Sequence, residues 1–262
     1  MYSTVLVALD GSKNAERALA AVKPLLAVPK TRTLLVQARP ESAPEQEARA
    51  YLDGLAGKLS ARGIRATADV LRGDPATAVV AAAERRKADL VAFASHGEGG
   101  LASWVFGSVA QKILRASSKA LLLARSLEPE PAAIRRVLVP LDGSVGAEAI
   151  LPHAVAAARA WNARVVLLHV LRPEEGRPDR EKRRMEARFD EIARGQKKLE
   201  VESLIDEGDS AARILHHAER RPGTLVALGS HGRTAVSRWR YGSVAEKILQ
   251  AARIPLLVGP AS

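Results

Sequence analysis

Two tandem doubly wound α/β domains are the fold class that the 262-residue sequence predicts, and three observations predict it. The chain repeats itself: Val5-Leu6-Val7-Ala8-Leu9-Asp10-Gly11-Ser12 returns as Val137-Leu138-Val139-Pro140-Leu141-Asp142-Gly143-Ser144. Ser95-His96-Gly97 and Gly107-Ser108-Val109-Ala110 likewise return as Ser230-His231-Gly232 and Gly242-Ser243-Val244-Ala245. Within each copy, short apolar runs alternate with longer alanine-rich stretches of helical spacing, the pattern of strands exchanging with helices. Several of the runs are apolar throughout, as expected of parallel strands covered by helices on both faces. A period of about 130 residues is the size of a domain and too long for a solenoid repeat.

In the first copy the runs place strands at 5–9, 33–38, 66–71 (weaker), 90–94 and 120–124, with helices at 15–27, 45–62, 76–87 and 109–116 between them. The second copy answers with strands at 137–141, 164–170, 199–205, 225–229 and 255–258. Each copy therefore reads as a five-stranded parallel sheet with helices on both faces. The domains are expected over 1–127 and 134–262. Leu127-Glu128-Pro129-Glu130-Pro131, rich in proline and charge, joins them. The closing strands at 120–124 and 255–258 would expose unpaired backbone as edges. Pairing them with each other would make an intramolecular pseudo-dimer, and association into a homodimer stays open.

Composition removes several function classes. Apolar residues make up 47% of the chain, yet no run of 18 or more lacks charge, so no membrane-spanning helix is expected. The first residues read as a strand, without the basic and apolar regions of a secretory signal, and a cytoplasmic address is expected. Cysteine is absent, which removes disulfides, thiolate nucleophiles and cysteine-held zinc. The net charge of +11 divides almost evenly between the halves and favours anions in general, without selecting one.

In open α/β sheets ligands bind beyond the carboxyl ends of the strands, where the winding reverses, so motifs that follow a strand matter most. Pro140-Leu141-Asp142-Gly143-Ser144 ends the first strand of the second copy. Its aspartate can accept from a ribose or base, or cap the following helix. Gly229-Ser230-His231-Gly232, followed by nine residues and Gly242-Ser243-Val244, comes after the fourth strand. Gly242-Ser243 opens a helix whose free N–H groups and dipole suit an anion. The alternative is a set of turn glycines with a serine cap. There is no Walker loop (Gly-x4-Gly-Lys-Ser/Thr) and no dinucleotide fingerprint to compete for a phosphate.

Taken together, Gly-x2-Gly-x9-Gly-Ser after a fourth strand and Asp-Gly-Ser at the end of a first resemble the universal stress protein family. The resemblance runs over nearly the whole chain, twice, and takes in His169-Val170 and Gly208-Asp209. It implies an adenine nucleotide α-hydrolase-like fold and, in the branch with this glycine signature, ATP bound between strands one and four. Carried over, it implies Pro140, Leu141, Asp142 and Val170 around adenine and ribose, and Leu228 and Gly229 along the ribose. Gly232, Gly242, Ser243 and Val244 would hold the phosphates, with Arg233 beside them and Mg or Mn bridged through the phosphates.

The copies differ at these positions. Ala94, Ala8, Gln37 and Ala38 stand in the first copy where Gly229, Pro140, His169 and Val170 stand in the second. Glu98, Ser103 and Val105 match Arg233, Arg238 and Arg240, and guanidinium groups favour a triphosphate where a glutamate repels it. The second copy is thus the expected nucleotide site. The first, with Asp10, Gly97, Gly107 and Ser108, is the weaker one.

Other signals carry less. His216-His217 and the remaining histidines lack metal-ligand spacing, and no nucleophile elbow is present. The charge-dense stretch 177–198 alternates in sign, as an exposed helix does, and aromatics at 3% are too few for a nucleic-acid surface. The expectation is a nucleotide-dependent stress-response regulator that acts through an unidentified protein partner. A slow ATPase or phosphotransferase, or a ligand-free adaptor, are the rival readings.

Overall fold

The computed structural model describes residues 2–94, 107–124, 133–172, 178–229 and 241–260. Two compact units divide the chain, Met1–Pro131 and Ala132–Ser262. Gly97, Gly232 and Arg233, together with Arg238 and Arg240, lie outside the described residues.

Unit 1 runs β1 (Thr4–Leu9), α1 (Lys13–Leu26), β2 (Arg32–Arg39), α2 (Gln46–Ser60), β3 (Arg65–Arg72), α3 (Pro75–Arg85), β4 (Leu90–Ala94), α4 (Ser108–Ala116) and β5 (Ala120–Ala124). Its strands lie in the order β3-β2-β1-β4-β5, all parallel. The right-handed crossover rule assigns α1 and α2 to one face and α3 and α4 to the other, and α3 and α4 pack together. Val5, Leu6, Val7, Leu90, Val91 and Ala92 are fully buried between these layers. That double cover is why their runs do not alternate.

Unit 2 repeats the plan with β6 (Arg136–Pro140), α5 (Val145–Glu148), α6 (Leu151–Trp161), β7 (Arg164–Leu171), α7 (Pro178–Gly195), β8 (Val201–Glu207), α8 (Ser210–Glu219), β9 (Thr224–Leu228), α9 (Ser243–Ala251) and β10 (Leu256–Val258). Its order is β8-β7-β6-β9-β10, again parallel. The chain leaves β6 toward β7 on one side and returns to β9 on the other. The winding therefore reverses between β6 and β9, as it does between β1 and β4.

Several helix ends shift by a residue or two, and two further departures from the sequence reading have a local cause. The first helix of unit 2 is broken into α5 and α6, because Pro152 cannot donate into a continuous helix and stands instead at the start of α6. The third strand, expected at 199–205, begins two residues later. Lys198 adopts a left-handed φ of 61° and Leu199 N–H donates to Gln196 O, so Leu199 closes a turn before the ladder starts.

Candidate functional site

The winding reversal of unit 2 gathers the carboxyl ends of β6 and β9. Pro140 is the last residue of β6, opposite Leu168 of β7. The next residue continues the ladder, its N–H donating to Leu168 O at 2.8 Å, and Leu141 is buried. Asp142 then turns the chain: its Oδ1 accepts from Ser144 N–H at 2.9 Å, across Gly143 at a φ of +79°. Ser144 is the N-cap of α5 and accepts from Ala147 N–H at 3.1 Å. The cap is thus the serine, and the aspartate shapes the turn before it.

A buried histidine holds this turn from below. His169, 3% exposed on β7, brings Nδ1 within 2.8 Å of Leu141 O. A carbonyl only accepts, so Nδ1 carries the hydrogen. Its Nε2 lies 3.3 Å from Glu181 Oε1 on α7, close in distance but outside hydrogen-bond geometry. Val170 follows, 8% exposed, and completes the wall.

Leu228 ends β9, buried, and Gly229 follows it. A Cβ on Gly229 would stand 2.5 Å from Gly146 O and 2.7 Å from Ala147 Cα. This glycine exists because α5 crosses the end of β9 at backbone distance. The resemblance places the same residue along the ribose, a placement separate from this close approach. Beyond the undescribed stretch, α9 opens on Gly242, whose φ of −64° and ψ of 159° suit any residue. Gly242 has no side chain to cap α9, whereas Ser144 and Asp209 cap α5 and α8 of the same unit. Ser243 and Val244 are its first two residues, exposed and half-buried. Asp209 also reaches across to α9, 3.5 Å from Lys247 Nζ, as Asp74 reaches Lys112 at 3.1 Å in unit 1.

Sequence reasoning missed the contribution of α7, whose mixed charges read as a solvated face. Met185 Sδ and Arg184 Nη2 stand 3.1 and 3.2 Å from where a Cβ on Gly143 would lie, so this helix roofs the Asp142 turn. Arg188 fixes it there, with Nε 2.9 Å from Glu148 Oε1 on α5 and Nη2 on the other carboxylate oxygen. The hydrogen bonds that Arg188 donates to Glu148 and Glu191 hold its guanidinium pKa above its ordinary value. Met185 at 1% exposure and Phe189 and Ile192 one and two turns on were the signal, an apolar stripe inside the charged stretch.

Unit 1 builds the same frame with other contents. Asp10 Oδ1 accepts from Ser12 N–H at 2.9 Å, and α4 opens on uncapped Gly107 and exposed Ser108. Where Glu148 meets Arg188, the matching Glu16 meets a phenol: burial first, then the Glu16 and Asp10 carboxylates, push the Tyr51 hydroxyl well up. Buried Gln37 stands where His169 stands in unit 2.

Parallel five-stranded units with glycine-opened helices at the winding reversal define the class, a doubly wound α/β protein with two tandem copies of one domain. The model of the Universal stress protein family matches residues 1–125 and 133–260, and the chain belongs to that family as a tandem member. A universal stress protein of Thermus aquaticus is 32% identical over 138 residues, 48% of this chain and all of the relative. One of Methanocaldococcus jannaschii is 26% identical over 137 residues, 47% of this chain and 81% of the relative. Each match thus has about the length of one unit. The crystal structure of a universal stress protein from Archaeoglobus fulgidus superposes with a TM-score of 0.80 at 20% identity, covering 99% of both chains, an agreement of fold.

Proposed function

We propose that this tandem universal stress protein binds ATP in unit 2 and works as a nucleotide-dependent regulator. The observation that carries the reading is the α9 terminus. Among the described residues no side chain caps its backbone N–H groups, and it lies beside the β6–β9 reversal, where the Asp142 turn is held from both sides. Unsatisfied helix amides favour a phosphate through hydrogen bonds and the helix dipole. Pro140, Leu141 and Val170 supply apolar contact for a base, and Asp142 an acceptor for a ribose hydroxyl. Arg184 adds a cation over Gly143, where unit 1 offers the phenol of Tyr51 near its own turn. Arg233 and Gly232 complete the phosphate contacts in this reading.

A divalent cation, Mg or Mn, enters with the phosphates and neutralises part of their charge. Among the described residues no group of three or more His, Asp or Glu side chains could hold a metal, and in this reading the phosphates supply its ligands. The bound nucleotide alters the surface around residues 232–242 that a protein partner reads. Among the described residues no helix is long and apolar enough to cross a membrane. Native mass spectrometry of the purified chain tests the reading: a co-purifying adenine nucleotide is expected. A chain free of nucleotide that also fails to take up added ATP contradicts it.

A further inference from the structure

At the other end of unit 2, a positive charge lies buried without a counter-charge in hydrogen-bond contact. Arg136 begins β6 and is 4% exposed, yet its Nε and Nη2 atoms have no hydrogen-bond partner. Its neighbours across the sheet are Thr224 on β9 and Arg164 on β7, in register, so the three side chains leave the same face. Burial first, then the Arg221 guanidinium, lower Arg136 from its ordinary value. Glu202 opposes them and Arg164 adds to them. Arg164 has its own carboxylates, Glu200 at 3.6 Å and Glu202 at 3.8 Å.

The other copy fills this place with an acid instead of a second base. The matching row of unit 1 is Asp89, Thr4 and Arg32. There Asp89 Oδ2 accepts from Ser3 and Thr4 N–H at 2.6 and 2.9 Å, and Arg32 Nη2 donates to Thr4 Oγ1 at 3.1 Å. In unit 2 the aspartate has become Thr224 and the threonine has become Arg136. One exchange removes a carboxylate and the other adds a guanidinium, in adjacent strands. Thr224 Oγ1 donates instead to Arg221 O at 2.7 Å. A buried ion without a partner is strongly unfavourable, so an anion from solution is the natural complement.

We propose that the amino end of the unit 2 sheet binds a tetrahedral oxyanion of the phosphate class, held by Arg136 with Arg164 and Arg221 as flanking cations. The site is separate from the nucleotide site: β6 spans roughly 13 Å from Arg136 to Pro140 at about 3.3 Å per residue. The two readings stand or fall independently.

Thermal unfolding of the full chain tests it, with orthophosphate replacing chloride at fixed ionic strength. Gly242→Asp is present in every sample to close the α9 terminus to phosphate. Phosphate at ten times its dissociation constant is expected to raise Tm by about 3 °C. Arg136→Thr and Thr224→Asp, which install the residues unit 1 carries, are each expected to abolish the rise. No rise in the parent, or a rise retained in either variant, overturns the proposal.

Discussion

At the scale of single residues, the two units serve as each other's controls. Gly229 and Ala94 occupy matching positions, and a Cβ on Gly229 would meet the backbone of Gly146 and Ala147 at clashing distance. Gly229→Ala is therefore expected to destabilise the chain by about 1–3 kcal/mol, the usual cost of overpacking. Chemical denaturation measures this, and an unchanged midpoint would contradict the close approach of α5. Asp206, on β8, supplies a second case. Its carboxylate lies 2.7 Å from Arg213 Nε and 2.6 Å from His217 Nε2, both on α8. Burial raises it, yet the Arg213 and His217 hydrogen bonds outweigh burial and hold it below the ordinary carboxylate range. A lowered native value means stability that is present above the unfolded value of about 3.9 and is lost as pH falls through the native one. Asp206→Asn is thus expected to lower stability at pH 7 and to converge with the parent as pH falls through the lowered native value. A difference that persists in acid would refute the assignment.

Elements show which parts of the fold are written locally and which are not. Strands buried on both faces were legible because nothing polar interrupts them, and Leu90–Ala94 and Ala120–Ala124 appear with the expected bounds. Edge strand β8 was misplaced because its start depends on the left-handed turn at Lys198, which an apolar Leu199 conceals. The α5–α6 break follows from Pro152 but passes unnoticed in a stretch otherwise good for helix. At the site, the loop residues were legible as motifs. The roof from α7 was not, since Arg184, Arg188 and Glu148 meet only through tertiary packing.

The uncapped end of α9 makes a prediction of its own kind. Gly242 has a backbone open to any residue, so Gly242→Asp is expected to fold and to gain a few tenths of a kcal/mol as a better cap. The same carboxylate occupies the amides and repels phosphate, so ATP affinity is expected to fall at least about tenfold. Stability with undiminished ATP binding would separate the phosphates from α9. Ser144→Ala, by contrast, removes a real cap from α5 and is expected to cost about 1 kcal/mol by denaturant titration.

For the whole molecule, duplication has produced two copies of one frame with different charge at both ends of the sheet. Unit 1 keeps Asp89, Gln37 and Tyr51, while unit 2 carries Arg136, His169, Arg184 and Arg188 at or near the corresponding places. The overall charge of +11 conceals this division, which composition by halves does not reveal. One copy specialised for a nucleotide beside a copy that is not is the reading these differences support. Titration calorimetry of the full chain with Mg·ATP tests it most directly. The account predicts one site per chain, lost in Gly242→Asp and kept in Gly107→Asp. Two equal sites, or one site lost in Gly107→Asp instead, would contradict it.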